Sequence, residues 1–275
     1  MKLVITLAAI ILAVLFPAMA AYLLCSHLTG GLLFLCFGRV NVATMIYPII
    51  LAFWNRNILN QPLKVFFIYC IATFCINLIE QLFILGWINN YEIVIEIVEY
   101  LDIENTNFML ILYHLKDFAF LGWFYSILMP FRYSIWIKRI AFLLFIAALI
   151  NYLFIEGYKG YGIFNPTTDA IFSFSLPAIY LRYLYKNMLN VPISKNSYFW
   201  ISFGLIFTNL IGFFLYLIGD TLHTYYYPLF TKLSISRNGF DMIAQVLLSI
   251  GFLYTPFAKY IPLPENEDTQ DQKTD

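Results

Sequence analysis

The chain has 275 residues, 61% of them hydrophobic and only 12% charged, with 16 basic against 16 acidic side chains and a formal net charge of zero. Soluble domains are about a quarter charged, so this composition excludes an ordinary water-soluble enzyme and places the protein in a membrane. No soluble kinase, nucleotide-binding or DNA-binding domain is evident along it, and no nucleic-acid partner is expected.

Runs such as IAFLLFIAALI (140–150) are apolar on every face, whereas the strands of a transmembrane barrel alternate apolar and polar residues. The expected fold class is therefore all-α, a polytopic transmembrane helix bundle of seven spans plus an N-terminal apolar segment. That segment falls in residues 1–31. Lys2, the apolar run 3–16, Pro17 and Ala18-Met19-Ala20 fit a signal peptide with a small-residue cleavage site, or else an uncleaved eighth helix running on to Leu24. Both readings put residues 25–40 outside. A lipoprotein reading at Cys25 is disfavoured, because Leu24 precedes it where a small residue is expected. Cys25 and Cys36 could face an oxidising exterior, while Cys70 and Cys75 lie within a span.

Residues 32–258 form the expected seven-helix transmembrane domain. Spans are predicted at 32–54, 65–87, 108–129, 140–154, 170–185, 198–218 and 240–257, on the rule that about 20 apolar residues cross a hydrocarbon core. Arg56 and Lys64 follow the first span, Arg132, Lys138 and Arg139 the third, Arg182, Lys186 and Lys195 the fifth, and Lys259 and Lys273 the seventh. Basic loops stay cytoplasmic, so the core bundle is predicted N-out and C-in. The alternate loops hold only Lys159, Lys232 and Arg237 as bases, and the loop after the second span carries Glu92, Glu96, Glu99, Asp102 and Glu104. Within it, residues 91–105 put Glu92, Glu96 and Glu99 on one helical face and Ile93, Ile97 and Tyr100 on another, an acidic amphipathic helix on the outer surface or simply an acidic loop. Residues 259–275 read as a disordered acidic cytoplasmic tail.

The informative stretch is LYHLKDF (112–118), which places His114, Lys116 and Asp117 inside a run that is otherwise apolar. A Lys or Asp at a helix centre costs about 2.5 to 3.5 kcal/mol, against gains of about 0.3 to 0.6 per Leu, Ile or Phe, so these groups must face protein, water or one another. By the i, i+3, i+4 rule, Asn77, Glu80 and Gln81 form a stripe on the second span, Tyr113, His114 and Asp117 share a face of the third, and Asp241, Gln245 and Ser249 line the seventh. Asp169 and Ser173 are one turn apart on the fifth. The expected arrangement is an outward-facing polar cavity lined by Glu80, His114, Lys116, Asp117, Asp241 and Gln245, a ligand site or proton relay. In it Glu80 is the expected acidic partner of Lys116, whose ammonium snorkels outward, and His114 donates to Asp117. The alternative is a polar network that only fixes helix register.

Gly204, Thr208 and Gly212 on the sixth span form a stripe of small residues suited to close helix packing, within the bundle or in a homodimer. Asn151 and Asn209 read as interhelical hydrogen bonders, and Tyr225, Tyr226 and Tyr227 as an interfacial belt. A retinal protein needs a Lys in the seventh span, which has none. A zinc hydrolase of the ceramidase type needs more histidines than His27 and His223 supply. No metal site, cofactor or catalytic residue is therefore expected, and an intramembrane enzyme using His114 with Asp117 would lack a nucleophile.

LIEQLFIL (78–85), LYHLKDF (112–118), Phe124-Tyr125, FWISFGLIF (199–207) and LLSIGFLY (247–254) resemble uncharacterised small bacterial seven-span integral membrane proteins, some encoded near sensor histidine kinases. The resemblance, from about Tyr47 to Phe257, implies a multi-pass protein of the bacterial inner membrane and a cytoplasmic signalling partner such as a histidine kinase. The expected function is sensory or signal-transducing; the alternative is a small-solute or proton-coupled transporter, although no inverted repeat or pair of broken helices is evident.

Overall fold

A computed structural model describes residues 30–103, 105–159, 162–187 and 192–258, with residues 19, 23–25 and 28. Residues 1–18 of the N-terminal apolar segment and the tail 259–275 lie outside the described residues. Among the described residues the regular structure is helical, with no strand.

The first predicted span forms two helices, α1 (Gly30–Thr44) and α2 (Ile46–Trp54). Pro48 has no N–H to offer the Thr44 carbonyl, and the Thr44 hydroxyl donates to the Asn41 carbonyl at 2.7 Å, so the helix breaks at Met45. Cys25 and Cys36 form a disulfide that fastens the segment before α1 to its second turn.

Helix α3 (Gln61–Ile88) starts where the Asn60 side chain accepts the Leu63 amide and Pro62 occupies the first turn. The acidic stretch after it is a helix, α4 (Glu92–Leu101), set off by left-handed residues at Asn90 and Asp102. Its Val94 lies against Gly86, where a Cβ would stand 2.6 Å from the Val94 side chain, and this close approach seats α4 on the end of α3. Ile93 and Tyr100 remain exposed on its far side.

Helices α5 (Leu110–Leu128) and α6 (Phe131–Ile150) follow, the second ending in a π-helical turn, Asn151–Ile155. Then come α7 (Phe164–Asn187), α8 (Ser197–Tyr225), α9 (Tyr227–Leu253) and the short α10 (Thr255–Ala258). Several helices overrun their predicted bounds. α6 begins at residue 131 rather than 140, because Pro130 provides a helix start and Arg132, Lys138 and Arg139 are carried exposed on its surface. The region 219–239, read from sequence as mostly loop, is helical up to a tight turn at Tyr226, with Pro228 in the first turn of α9.

Three helical stretches, Leu32–Trp54, Gln61–Ile88 and Phe131–Ile155, are long and apolar enough to cross a membrane. Their outer faces carry large exposed side chains such as Trp54, Leu82, Phe142, Leu143 and Phe154, a density of exposed apolar surface that water-soluble domains avoid and lipid favours.

The helices pack as a ring. α9 lies on α8, α8 on α7, α7 on α5, α5 on α3, α3 on α2, and α2 with α1 on α9; α6 flanks α5 from outside. Gly122 of α5 permits this last approach, since a Cβ there would stand 2.5 Å from Ala141. At one end of the ring an aromatic core joins the helices: Phe66 meets Phe124 and Phe252, Tyr180 meets Tyr125 and Tyr198, and the Tyr125 and Ser202 hydroxyls share a 2.9 Å hydrogen bond. The Asn60 amide donates to the Tyr198 hydroxyl at 2.6 Å. These residues lie early on α3 and α8 and late on α5, α7 and α9, so this apolar plug fills the end predicted to be cytoplasmic.

Candidate functional site

Helices α3 and α5 run antiparallel, as three contacts establish: Glu80 with Tyr113, Thr73 with Lys116, and Phe66 with Phe124. Away from the aromatic plug, the Glu80 carboxylate accepts hydrogen bonds from the Tyr113 hydroxyl at 2.6 Å and the Thr106 hydroxyl at 2.8 Å. It is half-buried and already partnered.

One turn along α5, the Lys116 ammonium lies 2.7 Å from Oδ1 of Asp117, donates to the Thr73 hydroxyl at 3.1 Å and sits 4.3 Å from the centre of the Tyr69 ring. Lys116 is 7% exposed. The expected pairing with Glu80 is therefore replaced by an adjacent carboxylate, a hydroxyl and a cation–π contact. The expected outward snorkelling is reversed as well. Thr73 lies seven residues before Glu80, about 10 Å deeper along α3, so the ammonium points toward the plug. Burial explains this: the polar lining of α3 continues inward as Tyr69, Thr73, Asn77 and Glu80, and an amine finds more partners there than at the outer end.

His114 does not reach Asp117 either. Its Nδ1 lies 2.8 Å from Oδ2 of Asp169 on α7, and Oδ1 of Asp169 accepts the Ser173 hydroxyl at 3.0 Å. His114 is 2% exposed, and its Nε2 is buried with no hydrogen-bond partner among the described residues. The shared face expected for Tyr113, His114 and Asp117 is thus divided. Tyr113 and Lys116 address α3, His114 addresses α7, and Asp117 sits between, paired with Lys116. Phe118, one turn below His114, closes the α5–α7 seam edge-on against Phe172.

The charges of this cluster do not balance. Lys116 is one positive charge; Asp117 and Asp169 are two negative ones. With His114 neutral, the arithmetic +1 − 2 leaves one excess negative charge in a buried site. Buried uncompensated charge is costly, so the cluster attracts a further positive charge.

Asp241 and Gln245, placed by sequence in the same cavity, belong to another wall. α9 packs on α8, α1 and α2. There Asp241 lies 3.9 Å from Arg237 one turn earlier, with Asn41 of α1 near its carboxylate. Gln245 is buried one turn further on, where its carbonyl accepts the Ser249 hydroxyl at 2.7 Å. Side-chain direction sets the pattern: helical periodicity shows which residues share a face, while the neighbour of that face depends on ring order. Of the small-residue stripe, Gly204 is used within the chain, because a Cβ there would stand 2.9 Å from Leu248 and 3.3 Å from the Ala244 carbonyl of α9. Thr208 is half-buried and Gly212 buried on the same helix.

Asp169, Ser173, Tyr69, Thr73 and Asn41 are the residues the sequence set of six omits. The signal was present for two of them, since Asp169 and Ser173 are one turn apart; Tyr69 and Thr73 extend the α3 stripe inward by the same rule.

Groups outside the long helices form a separate clasp. The Glu156 carboxylate accepts the Asn151 side-chain amide at 2.6 Å and the backbone amides of Ile163 and Phe164 at 3.1 and 3.0 Å, capping the start of α7. Burial pushes its carboxyl up, but these hydrogen bonds outweigh it and hold the group below its ordinary range. Nearby, the hydrogen bond and charge of the Lys159 ammonium hold Asp102 below its usual range.

Among the described residues no group of three or more His, Cys, Asp or Glu side chains is placed to hold a metal ion. No protein-family model, curated protein or solved structure matches the chain.

Proposed function

We propose that the protein is a seven-span integral membrane protein of the bacterial inner membrane, N-out and C-in, that senses protons or a small cationic ligand on its outer side and passes the change to a cytoplasmic partner such as a sensor kinase. The charge imbalance of the Lys116, Asp117, Asp169 and His114 core carries this reading. A single proton changes that core from net negative to neutral, and it joins α3, α5 and α7, so protonation alters the forces between three helices at once.

The span count rests on α1 with α2, α3, α5, α6, α7, α8 and α9, each coinciding with one predicted apolar segment. Helices α5, α7 and α9 are too polar to stand out by composition, but the charged groups in their middle, His114, Lys116, Asp117, Asp169 and Asp241, are turned into the bundle. The Cys25–Cys36 disulfide favours an oxidising compartment at the start of the first span, in agreement with the basic segments at the opposite end.

A second reading, a proton-coupled carrier, is favoured by His114, whose Nε2 is buried with no hydrogen-bond partner among the described residues while Nδ1 is engaged. One preparation separates the two. Inside-out vesicles containing Ser194→Cys protein are labelled with an impermeant maleimide while the lumenal pH is changed. The sensory reading expects the labelling rate to follow lumenal pH in the parent background and not in Asp169→Asn. Steady proton entry through the parent, without a change in labelling, favours the carrier. Neither response, in folded protein, leaves a network that only sets helix register.

A further inference from the structure

On the outside of the bundle, α6 and α7 are held apart by α5 and leave an apolar cleft of about 380 Å³ between them. Met129, Ile137, Phe172 and Leu176 form its buried floor; Trp136, Ile140, Ile171 and Ile179 stand exposed along its edges. The two helices are antiparallel here, since the Asn165 amide of α7 donates to the Ala148 carbonyl of α6 at 3.2 Å. From Tyr133 to Leu144 the α6 edge spans eleven residues, about 16 Å, close to half of the roughly 30 Å hydrocarbon core. The cleft is therefore one leaflet deep.

Its charge is one-sided. The Arg139 guanidinium folds back toward the start of α6 and lies 5.7 Å from the centre of the Trp136 ring. Arg132 is on the same face, one turn before Trp136, and both arginines are exposed. Residues 118–155 contain no acidic side chain, and neither do residues 170–187, while Arg182 and Lys186 continue α7 beyond Ile179. An apolar slot one leaflet long, with an arginine stacked on an aromatic ring at its edge and no carboxylate among its lining residues, matches an acyl chain with an anionic phosphate headgroup.

We propose that this cleft binds one acyl chain of an anionic phospholipid of the inner leaflet, with its phosphate held by Arg139 and Arg132. The inference rests on the membrane-spanning reading above. Its occupant is lipid and not a partner helix, because the cleft lies on α6, a helix apolar enough to span the bilayer, whose large apolar side chains are exposed on its outer side.

The test uses full-length protein in nanodiscs containing phosphatidylglycerol or phosphatidylcholine with a diazirine on one acyl chain, and locates cross-links by peptide mass spectrometry. The expected result is cross-linking concentrated on residues 133–144 and 168–179, stronger for phosphatidylglycerol. A charge near the surface contributes about 1 kcal/mol, so Arg139→Gln reduces that lipid preference about fivefold. Ser175→Trp, which fills the cleft and leaves the arginines in place, removes the cleft cross-links and spares those on α3. Equal labelling of all lipid-facing helices, no preference between the headgroups in the parent, or protein–protein cross-links across the cleft in place of lipid ones would overturn the proposal. Protein that washes off membranes in alkaline carbonate would instead overturn the membrane-spanning reading.

Discussion

His114 of α5 and Asp169 of α7 are joined through Nδ1 and Oδ2 at 2.8 Å, with both residues buried and the carboxylate held on its other oxygen by Ser173. The bond crosses between helices 55 positions apart in the chain. It decides which face of α5 looks at α7, and it gives the buried core a place for a proton.

A neutral interhelical hydrogen bond in a membrane contributes about 1 kcal/mol, whereas stripping the partner from a buried charge costs about 3 to 5 kcal/mol. His114→Leu leaves Asp169 with only Ser173, so a loss near 3 kcal/mol is expected in reversible unfolding from mixed micelles. The double variant His114→Leu/Asp169→Leu is expected to recover part of that loss, because no charge is left alone. A single-variant loss under 1 kcal/mol, with no recovery in the double, would show that the pair carries little charge.

Among the described residues Lys116 is the lysine or arginine paired with Asp117, and it is surrounded by Tyr69 and Thr73 as well. Lys116→Met leaves two carboxylates facing each other without a cation and is expected to reduce the yield of folded protein in membranes severely. Adding Asp117→Asn to Lys116→Met restores the parent's charge balance, with one remaining carboxylate and its histidine, and yield is expected to rise again. Glu80→Gln keeps its two hydroxyl partners and is expected to fold nearly as well as the parent. A Glu80→Gln variant as damaged as Lys116→Met would return the Lys116 partnership to Glu80.

The contrast between Glu80 and Asp117 shows where sequence reasoning succeeds and where it stops. Length and apolarity mark seven long segments that are helical, three of them long and apolar enough to cross a membrane, and periodicity places Asn77, Glu80 and Asp117 on polar faces. Neither says that α5 lies between α3 and α7, which is what sends Tyr113 and Lys116 one way and His114 the other. Asp241 and Gln245 were grouped with the α5 residues by depth, yet ring order sets them against α1 and α8. Helix starts differ from the predicted ones where prolines, such as Pro130 and Pro228, begin helices in stretches whose charges read as loop.

Cys25 and Cys36 are 5.9 Å apart at their Cα atoms and bonded. In intact cells, an impermeant maleimide is expected to label them only after treatment with a reductant, and from the outer side. Cys70 is buried and Cys75 lies within α3, so a Cys25→Ser/Cys36→Ser variant is expected to show no such reductant-dependent labelling. Labelling that requires permeabilised cells would invert the N-out orientation.

At the α8–α9 seam, Gly204 has Leu248 and the Ala244 carbonyl where a side chain would go, while Gly239, on the same helix as Leu248, has nothing within 4 Å. Overpacking costs about 1 to 3 kcal/mol, so Gly204→Val is expected to lower the midpoint of thermal unfolding in detergent. Gly239→Ala is expected to hold or raise it, since it removes glycine's helix penalty of about 1 kcal/mol. If the two variants behave alike, the seam is looser than its geometry.

Glu156 supplies a pH dependence that can be read without the buried core. Its folded carboxyl lies below its ordinary value, because Asn151 and the amides of Ile163 and Phe164 together outweigh the effect of burial. A depressed carboxyl contributes stability that is fully present above its unfolded value, about 4.3, and is lost as pH falls through the lower folded value. The group is largely exposed, so solvent screening limits the electrostatic part, and loss of the helix cap itself sets the scale at about 1 kcal/mol. Glu156→Gln is therefore expected to lower stability by about that amount at pH 7, with the difference from the parent shrinking toward pH 3. The measurement is the unfolding midpoint of both proteins across that range; a difference that stays constant with pH would mean that the carboxylate charge plays no part in holding the start of α7.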